Sequence, residues 1–458
     1  MNQTSSISAT IAEHVAALDY DNLSEAAIGR TAELFLDWLG SALAGAGSRQ
    51  VAALRQFADT MGPERGPAQC LDWLSGSSPY FAAMLNASAS HVVEQDDLHN
   101  GSVLHPATVV FPALLAVCQQ HPLNGRQFIT AAVAGYETGI RIGEYLGRAH
   151  YKVFHTTGTV GTLAAAMTVG KALGLDATTL GHALGSAGTQ AAGLWEFLRT
   201  AADSKQLHTA KASADGLLSA YTAYFGLTGA SRILEGEQGL NAGFLGEGRT
   251  DAIVDNLGAD GVLETSFKYH ASCRHTHPAA DALLLLVTRH DIKPGEIESI
   301  EARVYQAAED VLGAVARPVS VHQAKFSMGF VLALIAAKRQ AGVKDFTDAA
   351  LGDAQLLDLH DKVRMVVDEE IDRAYPSRWS ARVILRTSDG RQFEHQVDVP
   401  KGDPGNALSR SELEHKFRTL ASLHPAVKGR EVERLIDHSW DLENQADAGE
   451  VFRVKGEP

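Results

Sequence analysis

The chain has 458 residues, and its 40 Lys and Arg against 55 Asp and Glu leave a formal charge of −15. Hydrophobic residues make up 45% and charged residues 21%, ordinary for a protein that buries a large core. A global negative field repels nucleic acid and anionic membrane, so neither is expected as a partner, and an anionic ligand would need a local cationic pocket. At the N-terminus, Met1 to Ser6 carry no basic flank, apolar segment or Arg-rich pattern, so no targeting segment is expected. Cys70, Cys118 and Cys273 stand at spacings that fit neither a disulfide framework nor a Cys-x-x-Cys metal site. This usage suits a reducing compartment, and the expected location is the cytoplasm.

The first part of the chain reads as helix after helix. Leu34, Phe35, Trp38, Leu39, Ala42 and Leu43 form one apolar stripe at helical spacing, which Gly45 and Gly47 then end. An apolar helix is expected from near Pro112. Gly158 to Leu175 is dense in Ala and Gly, the texture of a helix buried on most sides, with its glycines serving packing. No G-x-x-x-x-G-K-[ST] or strand-linked G-x-G-x-x-G occurs. After residue 267 the period changes: Ile300, Ala302 and Val304 alternate with Glu301 and Arg303 as in a half-buried strand, and Val363 to Val367 is a second candidate. The apolar run from Met328 to Ala337 is about half the ~20 residues that span a bilayer. Arg382–Arg386 and Phe393–Val399 flank Ser388-Asp389-Gly390 as a hairpin, with Phe393, Val397 and Val399 expected on one face. Lys401 to Gly405 reads as a linker, and Leu413, Phe417 and Leu420 resume helical spacing behind Ser411. The expected fold is mainly α: a helical domain over 1–267, an inserted smaller α+β domain over 268–404, and a return to the helices over 405–458.

Three clusters could carry chemistry. The first, His91 to Pro106, packs Glu94, Asp96 and Asp97 beside His91, His99 and His105 around a Gly-Ser loop. Carboxylates next to imidazoles shift one another's pKa and fix tautomers, as an acid–base site requires; a solvated loop with Asp caps is the plainer alternative. The second, His155-Thr156-Thr157-Gly158-Thr159, precedes the buried helix, where hydroxyls could cap it and its N–H groups could take a carboxylate. The third runs from Lys268 through His270, Cys273, Arg274, His275 and His277 to Asp281, at the junction of the two textures, where ligand clefts are common. His275-x-His277 invites a metal reading completed by Asp281 or Cys273. Lys205 and His208 add a cationic pair at i, i+3, by default on an exposed face.

Glu94-Gln-Asp-Asp97 with His105-Pro106, Gly135-Tyr-Glu137, His155 to Thr159, Lys205-Gln-Leu-His208, Lys268 to Asp281 and Ala324-Lys-Phe-Ser327 occur in this order. Together they resemble the MmgE/PrpD family, which includes 2-methylcitrate dehydratases, cis-aconitate decarboxylase and iminodisuccinate epimerase. The resemblance implies an enzyme without metal or cofactor that acts on a small anionic polycarboxylate. It further implies a homodimer formed through the helical domain, with the α+β domain as a lid. It places catalytic roles on His105, His155, Lys205 and Lys268. Substrate-binding roles are expected for Glu94, Asp96, Asp97, Thr156, Cys273, Arg274, His275 and His277. Cys273 stands where the decarboxylase has a histidine.

The chemistry would begin with removal of a proton α to a carboxylate held by Lys205, Lys268 and an Arg274 fork. His155 is expected as the base, kept neutral by the helix N-terminal field, and His105 as the acid, favoured as imidazolium by the carboxylates before it. Loss of a β-hydroxyl then gives a dehydratase, the family's commonest reading and the first expectation; reprotonation gives an epimerase and loss of CO₂ a decarboxylase. A metal-dependent hydrolase using His275 and His277, or a non-catalytic helical interaction protein, are the alternatives from other classes.

Overall fold

Small and apolar residues set how closely the helices of this chain approach one another. A computed structural model describes residues 6–200, 202–313 and 315–456. It is 57% helix and 9% strand, a mainly α fold. No helix among the described residues is long and apolar enough to cross a membrane. The chain divides into two compact units: one takes in residues up to Phe197, Asp203–Thr265 and residues from Ser409 onward, the other Leu198–Ala202 and Ser266–Leu408.

In the first unit, α1 (Glu25–Ala44) starts at Ser24, whose hydroxyl accepts the Ala27 N–H, and buries the predicted stripe completely. Phe35 meets Phe111, Phe128 and Phe452 edge-on at centroid distances of 5.3, 5.1 and 4.6 Å, the geometry that ring quadrupoles favour. Helices α2 (Pro79–Val92), α3 (Ala107–Cys118), α5 (Thr156–Ala172) and α6 (Ser204–Tyr224) share a core of Leu85, Val117, Ala165, Val169, Ala210 and Ala214, and α4 (Gly125–Tyr151) packs on α5. Gly216 permits the α5–α6 approach: a Cβ there would overlap Ala165 and sit 2.7 Å from the Thr162 carbonyl oxygen. Helix α3 begins at Ala107, not near Pro112, because Asp97 Oδ1 accepts the Ala107 N–H at 3.0 Å and starts the helix there. Pro112 lies inside it and supplies no N–H to the turn before.

The second unit carries a four-stranded sheet of order β2-β1-β3-β4, with β1 Ile297–Val304, β2 Val363–Val367, β3 Ala381–Thr387 and β4 Gln392–Val397. β1 runs parallel to β2 and antiparallel to β3, and β3 and β4 form the hairpin with Leu385 opposite Phe393. The helix His277–Arg289 packs against β3 and β4. β4 is an edge strand ending at Val397, so Val399 falls outside it and is exposed. Residues 401–405 are no loose linker. Lys401 N–H donates to Asp281 Oδ2 at 2.7 Å, Phe267 N–H to the Gly402 carbonyl at 2.9 Å, and Asp403 receives Ser266 and Arg274. In the first unit again, the helix Arg410–Ala421 starts at a capping box of Ser409 and Glu412, two residues before the expected Ser411.

Candidate active site

Helix α2 ends in a backbone conformation that costs free energy. Glu94 follows its C-cap Val93 with φ +57°, in the left-handed region that usually takes glycine at this position. The turn buries Glu94 and pairs its Oε1 with Lys205 Nζ of α6. It also delivers Asp96, which is fully buried, to two imidazoles. Asp96 Oδ2 lies 2.8 Å from His91 Nδ1 and 2.8 Å from His105 Nδ1, and the His105 nitrogen is 2.6 Å from the Asp97 carbonyl oxygen. Facing a carboxylate and a carbonyl, both of which only accept, His105 carries its proton on Nδ1. The neighbouring carboxyl serves the framework: Asp97 accepts Tyr136 Oη–H at 2.7 Å and the Ala107 N–H. Burial pushes the Asp97 carboxyl well above the usual carboxylate range despite those bonds. Its two oxygens are thus taken up by Tyr136 and by the first N–H of α3.

His155 precedes α5 without capping it. The threonines expected to cap are turned elsewhere: Thr159 Oγ1 bonds His150 Nε2 at 2.9 Å, and Thr157 Oγ1 accepts the His105 N–H at 3.1 Å. Thr156, which opens the helix, is buried. The His155 ring stacks on His91 (5.8 Å, 18°) and lies tilted against Trp195 (4.7 Å, 49°), and its Nδ1 sits 3.2 Å from His208 Nδ1. Gly158 makes room for this pair, since a Cβ there would lie 3.1 Å from His208 Cβ and 2.8 Å from the Ala192 carbonyl oxygen. His155 Nε2 is buried without a hydrogen-bond partner among the described residues. Burial first, then the nearby His208, His91, Lys205 and His105, holds the His155 pKa well below the ordinary histidine value. The ring is kept neutral by desolvation and cations; a helix field is not needed to explain it. His91 and His208 are lowered to about 4, by burial first and then by Lys205.

The first unit thus assembles Glu94, Asp96, His105, His155 and Lys205, together with His91 and His208, to which the sequence motifs give no role. Lys205 is buried, not on an exposed face. Lys268, Cys273, Arg274, His275 and His277 are buried in the second unit. There His275 Nδ1 bonds Tyr305 Oη at 2.8 Å and stacks on Trp379, while Asp281 receives His270 Nε2 at 2.8 Å. Among the described residues, the groups of three or more imidazole, carboxylate or thiol side chains close enough to share an ion are His91 with Asp96 and His105, and His99 with Glu144 and Glu264; neither includes His275 or His277, the pair named for the metal-hydrolase alternative. Arg274, expected to fork a substrate carboxylate, is instead paired with Asp403 through Nη2, and its Nη1 lies 3.2 Å from His277 Nδ1. Cys273 N–H donates to the Lys325 carbonyl at 2.8 Å, which joins the last two sequence motifs inside one unit.

Buried neutral histidines make folding pH-dependent. His91 and His150 titrate near 4 when folded and near 6.5 when unfolded, so the unfolded chain binds more protons between those values. Their stabilising contribution is full above pH 6.5 and is lost as pH falls towards 4, at about 1.4 kcal/mol per pH unit for each ring. Asp97, with its raised carboxyl, acts in the opposite sense. The thermal midpoint is expected to fall steadily from pH 6.5 to 4.5; a flat profile across that range would contradict neutral burial of these rings.

The family models described as the MmgE/PrpD N-terminal domain and the MmgE/PrpD C-terminal domain match residues 9–252 and 270–442. The chain is 27% identical to the cis-aconitate decarboxylase-like protein oryM of Aspergillus oryzae, over 98% of this chain and 97% of that protein. It is 28% identical to the cis-aconitate decarboxylase of Aspergillus terreus (95% and 93% covered) and 25% identical to that of Homo sapiens (96% and 93%).

Proposed function

The chain belongs to the MmgE/PrpD family, and from that premise we propose that it is a lyase, independent of metal and cofactor, that decarboxylates a small unsaturated tricarboxylate such as cis-aconitate. The observation that carries the reading is the set of buried His91, His105 and His155 with half-buried His208 beside buried Lys205, and a carboxylate behind two of the rings. The relatives' names favour decarboxylation over the dehydration that motif resemblance alone put first.

In such a reaction the C–C bond to one carboxyl group breaks and CO₂ leaves. The released electron pair shifts the neighbouring double bond, and one proton is delivered to the carbon where the charge arrives. His105, held on Nδ1 by acceptors, is the proton donor through Nε2. Lys205 offers an ammonium whose three donors suit a substrate carboxylate, and Glu94 fixes its position. His155 is the neutral acceptor that would remove an α-proton in elimination or epimerisation. For this it must donate Nδ1–H to His208, leaving Nε2 to take the proton.

Proton NMR in D₂O with cis-aconitate, 2-methylcitrate, citrate and iminodisuccinate tests the reading. Expected is consumption of cis-aconitate with CO₂ release and one deuterium placed in the product, unaffected by EDTA. Water loss from 2-methylcitrate would move the assignment to a dehydratase, and EDTA-sensitive turnover restored by a divalent ion would end the metal-free proposal.

A further inference from the structure

One carboxylate oxygen serving two imidazoles is unusual enough to ask what it does. Asp96 is fully buried, and Asp97 beside it is spent on Tyr136 and the start of α3, so it is Asp96 whose carboxylate oxygen meets the two rings. Its Oδ2 lies 2.8 Å from Nδ1 of both His91 and His105, whose rings meet edge-on at a centroid distance of 4.9 Å. We propose that Asp96 is the positioning residue of the proton donor: it fixes His105 with Nδ1–H inward and Nε2 as the exchanging atom, and its charge is shared between His105 and His91. The inference rests on the reading of this cluster as the active site.

Sharing gives the proposal a sign. An ionised Asp96 stabilises His105 as imidazolium, and the His91 N–H, by taking part of the same oxygen, weakens that effect. His155 at the start of α5 and His91 both interact with His105, Lys205 of α6 lies near those two rings with Glu94 on its ammonium, and the Asp97 carboxyl points into the framework. Lys205 opposes an imidazolium in this cluster and His155 is neutral; both stay unchanged in both variants below, so they do not affect the comparison.

The test is the pH profile of kcat for cis-aconitate in two variants. Asp96→Asn should lower kcat by about 10–10²-fold, below the ~10⁴ known for the analogous loss in a Ser-His-Asp triad, because the Asp97 carbonyl still holds the tautomer. It should also move the alkaline limb, where the donor loses its proton, to lower pH by about one unit, with KM changed less than threefold. His91→Phe should move that limb the other way, since Asp96 then serves His105 alone. Opposite displacements support the proposal. A limb that stays in place in both variants, whatever happens to kcat, reduces Asp96 to a structural residue and overturns it. If Asp96→Asn does not fold, His91→Phe decides alone, an upward shift supporting the proposal and no shift overturning it. His105→Ala run alongside separates the two levels: full activity there refutes the site itself, whereas loss of activity there with unmoved limbs refutes only the role of Asp96.

Discussion

His105→Ala is expected to lower kcat by about 10²–10⁴-fold, the usual range for a general acid, while the thermal midpoint changes little. The ring is held at one edge, by the Asp97 carbonyl and Asp96, so its removal is expected to cost chemistry more than packing. His155→Ala is the partner measurement. Dehydration and epimerisation both begin by removing an α-proton, so in either case His155→Ala should abolish activity and solvent deuterium exchange together. Direct loss of CO₂ from an unsaturated acid needs a proton delivered more than one removed. In that case His155→Ala should lose clearly less kcat than His105→Ala. The ratio of the two losses therefore reports the reaction type independently of product identification. Equal, undiminished activity in both variants would show that neither ring touches the substrate.

How much of this was legible in the sequence depended on the range of the contact. The stripe on α1, the alternation on β1 and the run of β2 are local patterns, and each became the element it announced. The His91–Pro106 cluster could be found because its composition is dense, yet its internal division of labour could not. Asp96 and Asp97 are neighbours, and only the folded turn sends one to the histidines and the other to Tyr136. His208 is three residues from Lys205, a spacing that suits an exposed ion-pair face equally well. The sequence offers Arg274 as a fork for substrate, and its pairing with Asp403, 129 positions away, lies beyond any local pattern. Glu94 is the sharpest case. A helix ending in left-handed geometry calls for glycine, and the rule fails here because the side chain is held by Lys205 across 111 positions.

That pair yields the other large effect. Lys205→Ala takes the ammonium from the buried Glu94 carboxylate, and breaking a buried ion pair by removing one partner costs about 3–5 kcal/mol of stability. Lys205→Ala should therefore unfold at lower temperature and lack activity, an outcome that alone cannot tell a structural lysine from a functional one. Combining Lys205→Met with Glu94→Gln removes both charges and keeps the volume, so the thermal midpoint should return close to that of the parent chain. Activity should not return, because no ammonium remains to stabilise charge on the substrate carboxylate. Lys205→Arg should fail as well, since a planar guanidinium in a space shaped for a point charge displaces Glu94 or the rings. A stable double variant with parental kcat/KM would remove Lys205 from the chemistry and leave the pair as a device that pins the α2 turn to α6. A stable but inactive one would show that the strain at Glu94 is kept to aim the lysine.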